Sequence, residues 1–205
     1  MSIIEKLASQ QGLKDESANI NLAIEIVKSG DEIGLRELIQ GLDDKRIQND
    51  CIKTIYEIGE RNGKLLVPFL SVFIDLLSSK NNRLQWGAMC AINSVTLHIP
   101  TEVFASISRL EEAANKGSVI TRDNFVKILT KLMGNSEHQE MAFRKLSQQL
   151  NNAPANQFPM YAEEIMTTIP KEHVAEFRKI LESRMDDLPK ESQKKRIDKV
   201  LKKLK

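Results

Sequence analysis

Aromatic side chains are scarce in this sequence, at 5% of 205 residues. Only Trp86, Tyr56 and Tyr161 combine an aromatic ring with a polar atom. Proteins that bind single-stranded nucleic acid without sequence preference stack successive bases on aromatic rings. The chain therefore offers little material for stacking on bases or sugars.

Residues that usually carry catalysis or bind metal ions are also few and scattered. Cys51 and Cys90 do not form a Cys-x-x-Cys pair. The three histidines, His98, His138 and His173, form no His-x-x-x-His pair, and packed or solvated histidines are the favoured interpretation. No glycine-rich phosphate loop and no acidic calcium loop is present. The sequence accordingly predicts no enzyme, no metal site and no cofactor.

Long apolar runs are missing as well. The most apolar window, LLVPFLSVFIDLL at residues 65–77, is shorter than the roughly 20 residues that a membrane-spanning helix needs. The amino terminus has no basic region followed by a long apolar run, so we expect no signal peptide. Two lone cysteines fit a reducing compartment. We expect a cytoplasmic protein without a membrane span.

Charge is nearly balanced overall, at +2, but it is unevenly distributed. Residues 190–205 hold eight basic and two acidic side chains, which leaves a net charge of −4 for residues 1–189. This tail fits either a solubilising end helix or a binding site for an acidic protein, a nucleic acid or an anionic membrane. The candidate binding residues of the tail are Lys194, Lys195, Arg196, Lys199, Lys202 and Lys203.

Helix-start signals are abundant, and they recur at a nearly constant interval. Asp31, Lys64, Thr101, Glu137 and Lys171 mark successive starts, with steps of 33, 37, 36 and 34 residues. Asp, Ser, Asn and Thr suit helix starts because their side-chain oxygens accept hydrogen bonds from exposed backbone N–H groups. A period of this length with two helices in each unit is the signature of an all-α solenoid.

Second helices are predicted between these markers, and the first two carry one apolar stripe each. Apolar or small residues recur at intervals of four, four and three residues, which places them on one helix face. The stripe residues are Ile47, Cys51, Ile55 and Ile58 in one helix and Leu84, Ala88, Ile92 and Val95 in the next. Further second helices are expected at residues 119–132, 160–169 and 192–204.

Residues 65–95 resemble a HEAT repeat. The first helix begins Leu-Leu-x-Pro-x-Leu and a polar turn follows, and the second helix reads apolar-polar-x-small-Ala-x-x-Ala-apolar. The matching residues are Leu65, Pro68, Leu70, Leu84, Gln85, Ala88, Ala91 and Ile92. Gln85, Gln48 and Thr121 stand where HEAT repeats often have Arg, so the chain resembles a divergent member.

This resemblance implies an architecture for the whole chain. We expect a right-handed α-α superhelix of the HEAT/armadillo type in a single domain, with about five helix pairs. Residues 1–30 would form N-terminal cap helices, residues 31–189 the helix-pair repeats and residues 190–205 a basic capping helix. Second helices line the concave face in HEAT arrays, which are mostly binding scaffolds.

The resemblance also selects candidate binding residues on the second helices. We expect an exposed ridge of six side chains there: Asn49, Lys53, Tyr56, Trp86, Asn93 and Arg122. Trp, Tyr and Arg are the residue types that most often dominate binding energy at interfaces, so Trp86 is the first choice. Gly87 and Ala88 predict a close helix contact on another face of the same helix. Partial burial of Trp86 against a neighbouring repeat remains an open alternative.

These observations favour a non-catalytic scaffold or adaptor that binds a protein partner. The alternative is a HEAT-like protein that binds nucleic acid or repairs DNA through basic residues of the second helices and the tail. DNA glycosylases built from HEAT-like repeats are similar in length, but they depend on several tryptophans and an Asp, and this chain has one Trp. A third possibility is a structural oligomer, and the sequence does not predict an oligomeric state.

Overall fold

A computed structural model describes residues 2–204, and these residues form helices without any β-strand. Contacts between residues divide the chain into two compact units, unit 1 ending at Phe125 and unit 2 beginning at Val126. No helix within residues 2–204 is both long and apolar enough to cross a membrane.

Unit 1 begins with a single 3-10 turn, Ile3–Lys6, and continues as a series of α-helices. Two further 3-10 segments, Gly41–Asp43 and Gly63–Phe69, separate some of them. The α-helices are α1 (Ser17–Ser29), α2 (Glu32–Gln40), α3 (Gln48–Asn62), α4 (Leu70–Leu76), α5 (Asn82–Val95), α6 (Pro100–Ala105) and α7 (Ile107–Lys116). The next helix, α8 (Val119–Met133), contains the division between the units.

Helical segments begin at or within two residues of the predicted starts, but those at Lys64 and Lys171 are 3-10 segments that precede the α-helices. The Asp31 carboxylate accepts a hydrogen bond of 2.9 Å from the backbone N–H of Gly34 and so caps α2. The Asn81 side chain caps α5 in the same way, through the N–H of Arg83. Gly30 ends α1 at a φ of 69°, a left-handed conformation that glycine adopts without strain.

Several first helices are divided, which differs from the expectation of one continuous helix in each position. Pro68 lies inside the 3-10 segment that precedes α4, and a proline in a helix interior removes a backbone hydrogen bond. Ser106 separates α6 from α7. The affected repeats therefore have a short helix, a second short helix and then one long helix.

Helix α3 lies at the centre of unit 1. It contacts α1 and α5 as neighbouring second helices and α2 as its own first helix. The eight predicted stripe residues are all buried, which confirms the helix periodicity. Gly87 is buried against α3, because a Cβ atom at this position would lie 2.4 Å from Cγ1 of Ile52. The predicted close contact at Gly87 and Ala88 is therefore present.

Unit 2 also alternates first and second helices, over fewer residues than unit 1. Its helices after α8 are α9 (Gln139–Asn151), α10 (Phe158–Met166), α11 (Val174–Ser183) and α12 (Glu191–Lys203), with a 3-10 turn at Lys171–His173. The first helices α9 and α11 contact one another, and so do the second helices α10 and α12. Helix α12 lies within residues 190–205, where the sequence predicts a basic end helix.

Arg184 fixes the turn that follows α9. Its Nη1 donates hydrogen bonds to the carbonyl oxygens of Leu150, Asn151 and Ala153 at 2.9, 3.0 and 2.8 Å. The guanidinium also lies 4.7 Å from the centre of the Phe158 ring. Carbonyl groups at a helix end lack partners within the helix, so one cation here serves several of them.

Candidate binding surface

The predicted ridge residues lie on α3, α5 and α8, but they are not equally exposed. Asn49 is exposed, and Trp86, Asn93 and Arg122 are half-buried. Lys53 and Tyr56 are only 7% and 9% exposed, so their predicted exposure is wrong. Helix α3 is covered by α1, α2 and α5, and this leaves it without a fully solvated face. We define the second-helix surface as the accessible ridge residues Asn49, Trp86, Asn93 and Arg122, together with Arg83, which lies beside Trp86.

Two aromatic rings and two cations form a cluster at this surface. The ring centres of Tyr56 and Trp86 are 5.3 Å apart, with their planes tilted by 50°. Nζ of Lys53 lies 4.7 Å from the Tyr56 ring centre, and the Arg83 guanidinium lies 5.9 Å from that of Trp86. Both separations are in the range of cation–π attraction. Trp86 thus has one side packed on α3, a cation beside it and part of its surface in solvent.

The carboxylates of Glu16 and Glu57 form ion pairs with the cations near the two rings. Glu16, immediately before α1, forms ion pairs with both Lys53, at 3.3 Å, and Arg83. Glu57 accepts from Lys53 at 2.6 Å and from Arg61 at 2.5 Å, each one helical turn away. The Glu16 pairs connect the start of α1 to α3 and α5, whereas the Glu57 pairs hold Lys53 and Arg61 in place within α3.

The ion pairs shift the pKa values of their members. Burial opposes charge on Glu57, but hydrogen bonds from Lys53 and Arg61 outweigh it and lower the pKa of Glu57 below its ordinary value. Burial likewise opposes charge on Lys53, yet its hydrogen bonds to Glu57 and Tyr56 raise the pKa of Lys53. Burial raises the pKa of Tyr56. The pKa shifts of Glu57 and Lys53 both favour their charged forms, which stabilises the ion pair between them.

Side-chain amides connect the second helices at two further points. Nδ2 of Asn81 donates to Oδ1 of Asn49 at 2.9 Å. Nδ2 of Asn93 donates to Oδ1 of Asn124 at 3.1 Å, so α5 is joined to α8. Amide groups carry both donors and acceptors and can also bind the backbone of an extended peptide.

Sequence reasoning missed Glu16, Arg83, Asn81 and Asn124. The spacing of Lys53, Glu57 and Arg61 by four residues was a usable signal for the pairs within α3. Nothing local marks Glu16, because its partners lie on helices far along the chain.

The predicted tail residues lie on α12. Lys195, Lys199, Lys202 and Lys203 are exposed, whereas Lys194 and Arg196 are half-buried. Arg196 forms a two-point ion pair with Glu163 of α10, with N–O distances of 2.8 and 2.6 Å. This pair holds the pKa of Glu163 below its ordinary value, and Lys199 and Lys203 add to the effect.

The groups weighed for catalysis are mostly structural. His138 and His173 are buried, so the partly packed interpretation holds for them, and the His173 ring stacks on Phe143 at a centre distance of 4.0 Å. His98 is exposed. Burial raises the pKa of Cys51 to about 12. Across residues 2–204 no three His, Cys, Asp or Glu side chains are grouped to hold a metal ion.

Comparison with solved structures identifies the class of fold. A designed armadillo repeat protein is 17% identical, with 99% of this chain and 98% of that chain covered, at a TM-score of 0.66. Computationally designed armadillo repeat proteins for modular peptide recognition are 16% identical, with 89% and 86% covered, also at 0.66. An archaeal HEAT-like repeats protein from Thermococcus onnurineus NA1 is 14% identical, with 93% and 97% covered, at 0.51.

No protein-family model matches the sequence, and no curated protein is significantly similar to it. At these low identities the structural likeness shows the fold alone. The chain has an all-α HEAT/armadillo-like repeat fold, as predicted. The armadillo likeness also agrees with the division of α6 from α7 before the long helix α8. These structural neighbours are repeat proteins.

Proposed function

We propose that this protein is a non-catalytic scaffold that binds a protein partner through the second-helix surface of unit 1. The observation that carries the proposal is the position of Trp86. Its indole is half-buried and packs on Tyr56, with Arg83 beside it.

The surroundings of Trp86 favour binding for a thermodynamic reason. Large aromatic side chains and Arg contribute most to interface energy, and they contribute more when they are already held in place. Contact with Tyr56 restricts the indole, and the ion pair with Glu16 restricts Arg83. A partner therefore loses little free energy in ordering these side chains.

The partner's form is a more specific part of the proposal. We favour an extended peptide segment lying across α3, α5 and α8. The amides of Asn49 and Asn93 lie along that line and provide hydrogen-bonding groups that a peptide backbone needs. One group of similar solved structures was designed for modular peptide recognition, which is consistent with this choice.

The cellular setting follows the same proposal. No disulfide joins Cys51 to Cys90, and reduced thiols persist in reducing compartments. We therefore propose that the scaffold acts in the cytoplasm, without a cofactor or a reaction of its own.

Chemical crosslinking in the native cell, followed by capture of the tagged full-length protein, tests the proposal. Wild type should retain a defined partner, and Trp86→Ala should retain several-fold less of it while circular dichroism shows a folded chain. Trp86→Phe is the matched control, because it keeps an aromatic ring on Tyr56. Equal capture by all three proteins would contradict a role for this surface.

A further inference from the structure

Unit 2 carries a second surface, and its character is electrostatic. Lys127 and Lys131 lie one turn apart on α8, and both belong to unit 2. Arg196, Lys199 and Lys203 follow one another at intervals of three and four residues along α12, which places them on one side of that helix. We call this set the basic face: Lys127, Lys131, Arg196, Lys199 and Lys203.

Helix α10 links the two halves of the basic face through two carboxylates. Glu163 is bound at both oxygens by Arg196, and Lys199 and Lys203 lie close enough to stabilise its charge further. Glu164 is close enough to Lys131 to act on that amine in the same way. Five cations thus face two carboxylates, and the basic face keeps an excess positive charge.

Lys131 is the half-buried lysine of the basic face. Burial is the main cause that lowers the pKa of Lys131, and the like charge of Lys127 lowers it further, against the opposing effect of Glu164. An anion bound beside Lys131 would favour the charged amine and so oppose the effect of burial on its pKa.

The chemistry around the basic face distinguishes among anionic partners. The aromatic side chains of unit 2, Phe143, Phe158, Tyr161 and Phe177, are all buried, so none is available to stack on a base. Glu163 and Glu164 also interrupt the path that a continuous phosphate backbone would follow. The large exposed apolar side chain of unit 2 is Met141, which is on the first helix α9 rather than beside the cations. An anionic membrane would find no apolar anchor there.

We infer that the basic face of unit 2 binds an acidic segment of a protein partner. Separate carboxylates of a peptide can meet Lys127 and Lys131 on one side and Lys199 and Lys203 on the other, with Glu163 and Glu164 between. This inference rests on the proposed scaffold function and adds the chemistry of a second contact site.

The test uses a fluorescently labelled oligoglutamate peptide and the full-length chain at low ionic strength. Lys199→Gln with Lys203→Gln removes two cations from the basic face. Lys171→Gln with Lys179→Gln removes two exposed cations from the 3-10 turn before α11 and from α11 itself, and it serves as the matched control. We expect about fivefold weaker binding for the first pair, an effect typical of two exposed ion pairs, and less than twofold for the control.

Three results would overturn the inference. One is no peptide binding by wild type at low salt, and another is an equal loss in both double variants. The third is tighter binding of an oligothymidylate of matched charge, or of phosphatidylserine vesicles, than of the peptide. Failure of the scaffold proposal is distinguishable from failure of this inference. It appears as equal capture of a cellular partner by wild type and Trp86→Ala, whereas this inference is measured by peptide binding.

Discussion

The indole of Trp86 packs on the phenol ring of Tyr56, and the ring centres are 5.3 Å apart. This contact joins α5 to α3. The contact makes Trp86 part of the fold as well as part of the surface. Tyr56 is buried beneath it, and Lys53 lies on the Tyr56 ring. Removing the Trp86 indole should therefore carry a moderate cost in folding free energy.

Replacing Trp86 by Ala should lower the free energy of unfolding by about 1–2 kcal/mol, because the ring contact with Tyr56 and the buried part of the indole surface are lost. Trp86→Phe should cost less than 1 kcal/mol, roughly, because a ring remains on Tyr56. Urea unfolding followed by circular dichroism measures both values. A loss above about 4 kcal/mol would assign Trp86 to the core instead.

Gly87→Ala should destabilise the chain by about 1–3 kcal/mol. The new Cβ would lie 2.4 Å from Cγ1 of Ile52, a fully buried and β-branched side chain that has little room to move. The same substitution in an Ile52→Ala background should cost clearly less, because the obstructing atom is gone. A double-mutant cycle with additive effects would show that the two positions do not interact.

Arg184→Ala should destabilise unit 2 by about 2–3 kcal/mol, since three carbonyl oxygens at the end of α9 lose a charged donor. Arg184→Lys should recover part of this, because an ammonium is a point charge and does not reproduce the planar guanidinium on Phe158. Hydrogen exchange at α9 and α10 reports the change locally. Identical protection in wild type and Arg184→Ala would contradict this role.

Glu57 should make stability depend on acid pH. Its folded pKa lies below the ordinary value of 4.5, so its contribution is present above that value and is lost as the pH falls through the folded pKa. Glu57→Gln should be less stable at pH 7 by about 1–2 kcal/mol, and its stability should fall less steeply as the pH falls below 4.5. Urea midpoints measured across this range test the sign. Parallel pH profiles for the two proteins would exclude the ion-paired carboxylate as a cause.

The architecture was largely predictable because it depends on local signals. Asp31 caps its helix through a backbone N–H three residues away, and the stripe from Ile47 to Ile58 follows one helix period. The division of the first helices was less accessible, since Ser106 carries no strong helix-breaking chemistry.

The candidate site was only partly predictable because it depends on contacts between helices. The helix period places Lys53 off the apolar stripe, on a side of α3 that the sequence predicts to be exposed to solvent. Instead its amine is drawn to Glu57 and to Glu16, which lies before another helix. The number of helices around α3 decides burial there, and that number is a tertiary property. Trp86 was placed on the correct helix, whereas its contact with Tyr56 was not specified.

Site-specific photocrosslinking in cells tests whether the second-helix surface binds a protein partner. A photoreactive residue at position 93 on the second-helix surface is compared with one at position 112, an exposed site on the first helix α7. If that surface binds a partner, we expect a protein adduct of one defined mass from position 93 in cells and no such adduct from position 112. Adducts of equal yield from both positions, or an adduct from position 112 alone, would contradict it.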